Sequence, residues 1–178
     1  MHKDIKIKWK DDLSRYPKKP WLREPSIWAV YWHRKGESID LMKDGFFKKI
    51  AMSFYWIIFH FVTLATGISI AKSIKIGGGL RIYHFGNVFI HQNTVIGANC
   101  TLRQGVTLGN RYNDEFAPTL GDNVELGAYA QVLGDVTVGN NAKIGALSVV
   151  LENVPENHTA VGIPAKVKSN TKSQSIDA

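Results

Sequence analysis

From Ile90 onward an aliphatic side chain returns at every sixth position. Ile90, Ile96, Leu102, Leu108, Leu120, Leu126, Val132, Val138, Ile144 and Val150 fill ten of eleven such places, and Asp114, in a polar stretch, is the exception. Four residues after most of them stands something small or β-branched: Thr94, Cys100, Val106, Val124, Ala130, Val136, Ala142 and Ser148. Glycine often follows the aliphatic directly, as at Gly97, Gly109, Gly121, Gly127, Gly139 and Gly145. A six-residue period suits neither a helix of about 3.6 residues per turn nor an alternating hairpin sheet. It suits a short strand and a tight corner, repeated. Each aliphatic then points inward and stacks on its copy in the next coil, at the sheet spacing of about 4.8 Å. The pattern predicts a mainly β protein built as a parallel β-helix. Cys100 falls on a small inward position and is expected to be a packed thiol.

The same period occurs earlier in another phase. Ile70, Ile76 and Ile82 are six apart, with Ile74 and Leu80 at the smaller position, and reaching Ile90 takes two extra residues. The register therefore breaks inside YHFGNVF, where a histidine, His84, stands. Breaks in a regular solenoid re-aim side chains and often mark sites. A second irregularity, NRYNDEFAP from Asn110 to Pro118, lacks the inward pattern and reads as a loop lying over a neighbouring surface.

Residues 1–67 carry no such repeat. Residues 1–25 are polar, contain Pro17, Pro20 and Pro25, and read as an irregular arm. Ser26 is placed to cap a short helix ending at Gly36, and Asp40 to start a second that closes at Gly67. The middle of the second, Ile50 to Leu64, is apolar nearly all round but shorter than the roughly 20 apolar residues of a membrane span. Two readings stay open for it: a helix buried against protein, or one lying in a membrane surface with Lys48 and Lys49 at the headgroups and Trp56, Phe59 and Phe61 in the acyl boundary. These readings divide the chain into a helical segment 1–67, a β-helix 68–168 and a flexible tail 169–178.

The formal net charge is +7, and most of it falls in residues 1–50, which hold 13 Lys+Arg against 7 Asp+Glu. A basic front segment suits an anionic partner, or is a solvated helical face. No zinc-finger spacing or nucleic-acid-binding signature accompanies it, so no nucleic acid is expected. One cysteine excludes an internal disulfide framework and fits a reducing compartment. The opening MHKDIKIKWK does not have the form of a secretory signal, so a cytoplasmic protein is expected, peripheral at the inner membrane face if the helices dock there.

Three segments carry a family likeness in order: IGGGLRIYHFGNVFIHQNTVIGANCTLRQGVTLGN, APTLGDNVELGAYAQVLGDVTVGNNAKIGALSVVLENVP and AVGIPAKV. They resemble the left-handed β-helix acyltransferases with hexapeptide repeats. Within these, they are similar to serine acetyltransferases and to the O-acetyltransferases of bacterial exopolysaccharide and capsule synthesis. The resemblance implies a left-handed parallel β-helix and a homotrimer, or a multiple of trimers. It implies acetyl-CoA as a co-substrate held between neighbouring β-helices, no permanently bound cofactor, no metal, and direct transfer. It makes His84 the general base. It places acetyl-CoA along Gly109, Asn110, Gly127, Ala128, Gly145 and Ala146, with Lys166 of GIPAK near the nucleotide phosphates. Asn87, His91, Arg111, Tyr112 and Phe116 are candidates for the acceptor.

That chemistry suits the residue types. A hydroxyl is a poor nucleophile at neutral pH, and a neutral imidazole takes its proton as the oxygen attacks a thioester. The oxyanion then needs N–H donors, which a glycine turn near Gly109 can supply. The chain departs from the serine acetyltransferase pattern at two places. Ser69 stands where those enzymes have the aspartate that orients the base, and Ala117 stands where they have a second histidine before a proline. The orienter of His84 is then a backbone carbonyl, Asp114 or Glu115. Both departures point to another hydroxyl: a sugar of a surface polysaccharide or its precursor. Serine acetylation and a non-catalytic scaffold are the alternatives.

Overall fold

The computed structural model describes residues 1–112 and 115–169. It shows a left-handed parallel β-helix of triangular section, preceded by four helices. The first face stacks Ile68–Ser69, Val88–Ile90, Thr107–Gly109, Gln131–Leu133 and Val149–Val150. The second stacks Lys75–Ile76, Val95–Ile96, Thr119–Leu120 and Thr137–Val138, and a bridge from Val138 to Val154 extends it. The third stacks Arg81–Tyr83, Thr101–Arg103, Glu125–Leu126, Lys143–Ile144 and His158–Gly162, and the antiparallel strand Ala165–Ser169 ends it as a hairpin. All other strand pairs are parallel, and the chain visits the three faces in turn.

The register explains the period and its breaks. Ile90 lies opposite Leu108, Ile96 opposite Leu120 and Leu102 opposite Leu126, so the aliphatics stack as columns in the core. Gln131 lies opposite Val149, which makes 18 residues the ordinary coil. Ile68 lies opposite Val88, two residues more, and Val95 opposite Thr119, six more. The six belong to the loop after Asn110. Backbone bonds place the other two: Gly105 N donates to Gly86 O, Tyr129 N to Gln104 O and Leu147 N to Ala128 O. Asn87, Gly105, Tyr129 and Leu147 are therefore equivalent, and the surplus pair is His84 and Phe85. Cys100 is the packed thiol its position predicts, 3.2 Å from Gly121 O, and burial pushes its pKa up to about 11.

The N-terminal expectations need four corrections. Residues 1–25 are not an irregular arm: α1 spans Lys3–Ser14 and α2 spans Pro20–Arg23. The inner side of α1 mixes apolar and charged groups: Ile5 is buried and Trp9 packs on the core, but the next inward place holds the buried Asp12, which breaks the stripe that a periodicity argument needs. Asp12 is buried against Arg34, whose Nε donates to Asp12 Oδ2 at 2.8 Å, and Arg15 donates to Gly79 O, Cys100 O and Thr101 Oγ1. Ser26 does not cap: its Oγ donates to Ile82 O at 2.8 Å, tying α3 to the β-helix. Gly36 does not end α3, which runs Ser26–Asp40. A Cβ there would collide with Lys72 and the Tyr55 ring, so this glycine serves close packing. Asp40 ends α3, and α4 begins later, at Phe46, and runs to Thr66. Gly67 closes it in the left-handed conformation, φ 65°, as expected. At the other end, Ser169 belongs to the terminal hairpin and so not to a tail; residues 170–178 lie outside the described ones.

Candidate active site

Strand and corner alternate so regularly that the predicted site residues sort by edge. The edge between the third and first faces carries His84, Asn87, Gly127, Ala128, Gly145 and Ala146. Lys166, exposed in the terminal hairpin opposite Val161, continues that edge, because the strand bearing Val161 lies beside the one ending at Ile144. From the coil of Asn87 to that of Val161 is four coil steps, about 19 Å at the sheet spacing. His84 stands exposed at the foot of this column with φ 65°, in the surplus pair, and makes no hydrogen bond among the described residues. Gln104, one coil above, has a buried Oε1 without a hydrogen-bond partner among the described residues. The column thus offers a basic nitrogen and an unanswered acceptor at one end and an ammonium at the other.

The glycines of the column have a structural reason of their own. A Cβ at Gly127 would press on the backbone of Ala146, and one at Gly145 would stand 2.7 Å from Val161 Cγ1. Their absence lets coils close on one another and also leaves the outer surface low. On the third-face side of this edge, Tyr83, Arg103, Gly127, Lys143 and Gly145 line a groove of about 380 Å³. The Arg103 guanidinium lies 5.3 Å from the Tyr83 ring centre and that of Arg81 4.3 Å.

The other predicted residues lie on the edge between the first and second faces. His91 stands beside Gly109 in register, and Asn110 follows. His91 is occupied locally: its Nδ1 accepts the Asn93 N–H at 3.3 Å. Arg111 stacks at 4.9 Å on Tyr112, and with Phe116 they form one wall of a pocket of about 360 Å³ whose other wall is Leu133, Gly134, Val136 and Leu151. The loop thus lies over its own chain's later coils. Glu115 O accepts from Asn93 Nδ2, so the described return of the loop sits on this edge too.

Within one chain, therefore, the structure does not bring His84 together with His91, Gly109, Asn110, Arg111, Tyr112 or Phe116. The width of the first face, about 10 Å of strand, separates them. Glu115 of the same chain is not the orienter of His84, for the same reason, and Asp114 lies outside the described residues. Ser69 is on the first face opposite Phe89. Sequence reasoning passed over Tyr83, Phe85, Arg103, Gln104 and Tyr129. Tyr83, Phe85 and Tyr129 are exposed aromatics flanking or above His84. Tyr129 was detectable, since it fills a corner place where glycine or asparagine is usual; its φ is 59°.

Comparisons with known proteins agree with this architecture. The bacterial transferase hexapeptide family (six repeats) matches residues 117–152, and the hexapeptide repeat of succinyl-transferase matches 87–111. The WcaB protein of Escherichia coli K12, whose name assigns it as a colanic acid biosynthesis acetyltransferase, is 48% identical over 103 residues, 57% of this chain and 64% of WcaB. The chain thus spans less than two thirds of that relative. Serine acetyltransferase of Helicobacter pylori J99 is 44% identical over 153 residues, 85% of this chain and 84% of that one. A solved serine acetyltransferase in complex with CoA superposes with a TM-score of 0.77 at 28% identity, covering 93% of this chain and 70% of that one. The chain belongs to the hexapeptide-repeat acyltransferases.

Proposed function

We propose that this protein is an acetyl-CoA-dependent O-acetyltransferase acting on a sugar hydroxyl of a bacterial surface polysaccharide or its precursor. The observation that carries the reading is the column above His84: an exposed imidazole at the register break, small residues at Gly127, Ala128, Gly145 and Ala146 along it, and Lys166 at the top. An extended acyl-pantetheine arm suits that track, with its thioester at His84 and its phosphates toward Lys166. His84 takes the proton of the acceptor hydroxyl as the oxygen forms a bond to the thioester carbonyl carbon. The tetrahedral oxyanion collapses, the carbon–sulfur bond breaks, and the imidazolium returns the proton to the CoA thiolate.

The two edges of one chain each carry part of the machinery. In a trimer of parallel prisms, the His84 edge of one chain meets the loop edge of the next. Arg111, Tyr112 and Phe116 of one subunit then close the site of its neighbour, and a backbone carbonyl or loop carboxylate from across the interface orients His84. CoA is a co-substrate here, and no group stays bound between turnovers.

Two observations favour a sugar over serine. Ala117 has no polar side chain with which to grip an amino acid's charged groups, and Ser69 has no carboxylate. Around His84, Tyr83, Phe85 and Tyr129 expose rings of the kind that stack on pyranose faces. Serine acetylation remains the second reading, favoured by the length of the H. pylori match. The deciding experiment measures kcat/KM for L-serine and for oligosaccharide repeats of the producing cell, with acetyl-CoA and thiol detection. The sugar reading expects a glycan to be acetylated and serine to be poor. A serine value at or above about 10⁴ M⁻¹s⁻¹ with no glycan turned over refutes it.

A further inference from the structure

Helix α4 has two unlike sides. On one, Tyr55, Val62 and Thr66 are buried; the Tyr55 ring stacks on Trp32, with centres 5.8 Å apart, and Trp32 Nε1 donates to Tyr55 O at 3.0 Å. This side is committed to α3 and the first coil. On the other side Phe47, Ile50, Phe54, Ile57, Phe61 and Leu64 follow one another at alternating intervals of three and four residues, so they form one stripe. None of the described residues covers it: Phe54 is 62% exposed, Ile57 65%, Phe61 65% and Leu64 86%. The stripe runs about 26 Å at the helical rise, and Leu41, Met42 and Phe46, which precede it in the chain, are exposed as well. A contiguous apolar surface of that length marks an interaction site.

Charge decides the occupant. α4 contains no Asp or Glu. Lys49, Ser53, Trp56 and His60, all exposed, repeat along one margin of the stripe. Lys43 lies just before the helix, and neither Lys43 nor Lys49 has a carboxylate partner among the described residues. The nearby acidic groups are already answered, Asp44 by Lys48 at 2.8 Å and Asp40 by Lys72. A second copy in parallel, symmetric association would set Lys49 against itself with no acid on the helix to meet it. A surface bearing phosphate headgroups meets it directly, and tryptophan at the margin suits the headgroup level.

We propose that α4 lies in the plane of an anionic bilayer surface, with the Phe47–Leu64 stripe in the acyl boundary and Lys43 and Lys49 at lipid phosphates. The helix is long and apolar enough to cross a membrane by length and composition. Its Tyr55 side is bound to protein, however, so it lies on the surface and does not span it. The inference does not depend on which acceptor is acetylated.

The test is flotation of the full chain with vesicles of phosphatidylcholine alone and of phosphatidylcholine with phosphatidylglycerol. The protein should float with the second and be released as salt rises. Phe54→Ser with Phe61→Ser should lower partitioning by about 100-fold or more. Lys43→Gln and Lys49→Gln should each weaken it about fivefold on anionic vesicles only. Thermal stabilisation by CoA, retained in every variant, shows that the fold persists. Three results would overturn the proposal: a wild-type protein that floats with neither vesicle, equal flotation with both, or flotation untouched by the double serine variant. If the wild type fails to float and light scattering shows a larger assembly that the double serine variant dissolves, the face belongs to a second copy.

Discussion

His33 should make this fold acid-labile above the usual carboxylate range. It is fully buried in α3, its Nδ1–H donates to Ala71 O at 3.1 Å, and its Nε2 has no hydrogen-bond partner among the described residues. Glu37 Oε2 stands 3.8 Å from Nε2, beyond hydrogen-bond length. Burial first, and then the adjacent Arg34 guanidinium, hold its pKa down at about 4 against 6.5 for an ordinary histidine, and the attraction of Glu37 does not prevail. The unfolded chain therefore binds a proton near pH 6.5 that the folded chain refuses until about pH 4. Stability from this group is whole above the unfolded pKa. It falls by up to about 1.4 kcal/mol per pH unit below that, and the loss totals about 3 kcal/mol across the window. His33→Gln keeps a donor for Ala71 O and removes the titration. Denaturant unfolding of both proteins between pH 6.5 and pH 4 should show the variant losing about 3 kcal/mol less. The reasoning fails if both decline alike, or if the His33 ring resonance titrates near its ordinary value.

Two further outcomes are expected. His84→Ala should lower turnover by about 10²–10⁴-fold with little change in the CoA dissociation constant, and near wild-type turnover on the true acceptor would move the base elsewhere. Arg34→Met should cost about 3–5 kcal/mol in denaturant unfolding. It leaves the buried Asp12 carboxylate unpaired and strips donors from Ile76 O and Gly77 O; a loss under about 1 kcal/mol would show that the pair is not what holds α1 to α3.

The β-helix was legible because its rule is local: one inward aliphatic per short strand, repeated. Even the two insertions could be counted from Ile82 to Ile90 and from Leu108 to Leu120. Their three-dimensional meaning could not, because which edge a corner occupies depends on the accumulated count of faces. His84 and His91 are seven residues apart yet stand at opposite ends of the first face. The N-terminal helices were harder for a different reason. α1 is held by Arg15 and Arg34, whose guanidinium groups donate to backbone carbonyls of the β-helix, and by Asp12, whose Oδ1 accepts the Leu80 N–H. Asp12 interrupts the inward run of Ile5, Trp9 and Tyr16, and the contacts of Arg15 and Arg34 add nothing to a 3.6-residue apolar pattern. Gly36 carried a misleading one, since a glycine needed for close approach to Tyr55 and Lys72 looks like a helix end when only its neighbours in sequence are known.

The left-handed corners show that the edges answer to different demands. On the edge between the second and third faces, Asn99, Asn123, Asn141 and Asn157 all have φ near 58°. The amides of the last three form a ladder, Asn123 Nδ2 donating to Asn141 Oδ1 and Asn141 Nδ2 to Asn157 Oδ1, each at 3.1 Å. Asparagine enters this conformation cheaply, so the edge is a structural seam. The His84 edge makes the same demand on the backbone, and there it falls on His84, Asn87, Tyr129 and Leu147. A bulky residue there costs about 1–2 kcal/mol. Burial does not recover that cost, since His84, Tyr129 and Leu147 are all exposed. Gly105, φ 74°, yields its side-chain space to the Tyr129 ring, which could not lie there over any Cβ. A fold arranged for its own stability would repeat the asparagine ladder here. The strained residues instead put an imidazole, a phenol and an aliphatic side chain on one exposed edge. That arrangement has a physical rationale only if a ligand or a neighbouring subunit lies against it.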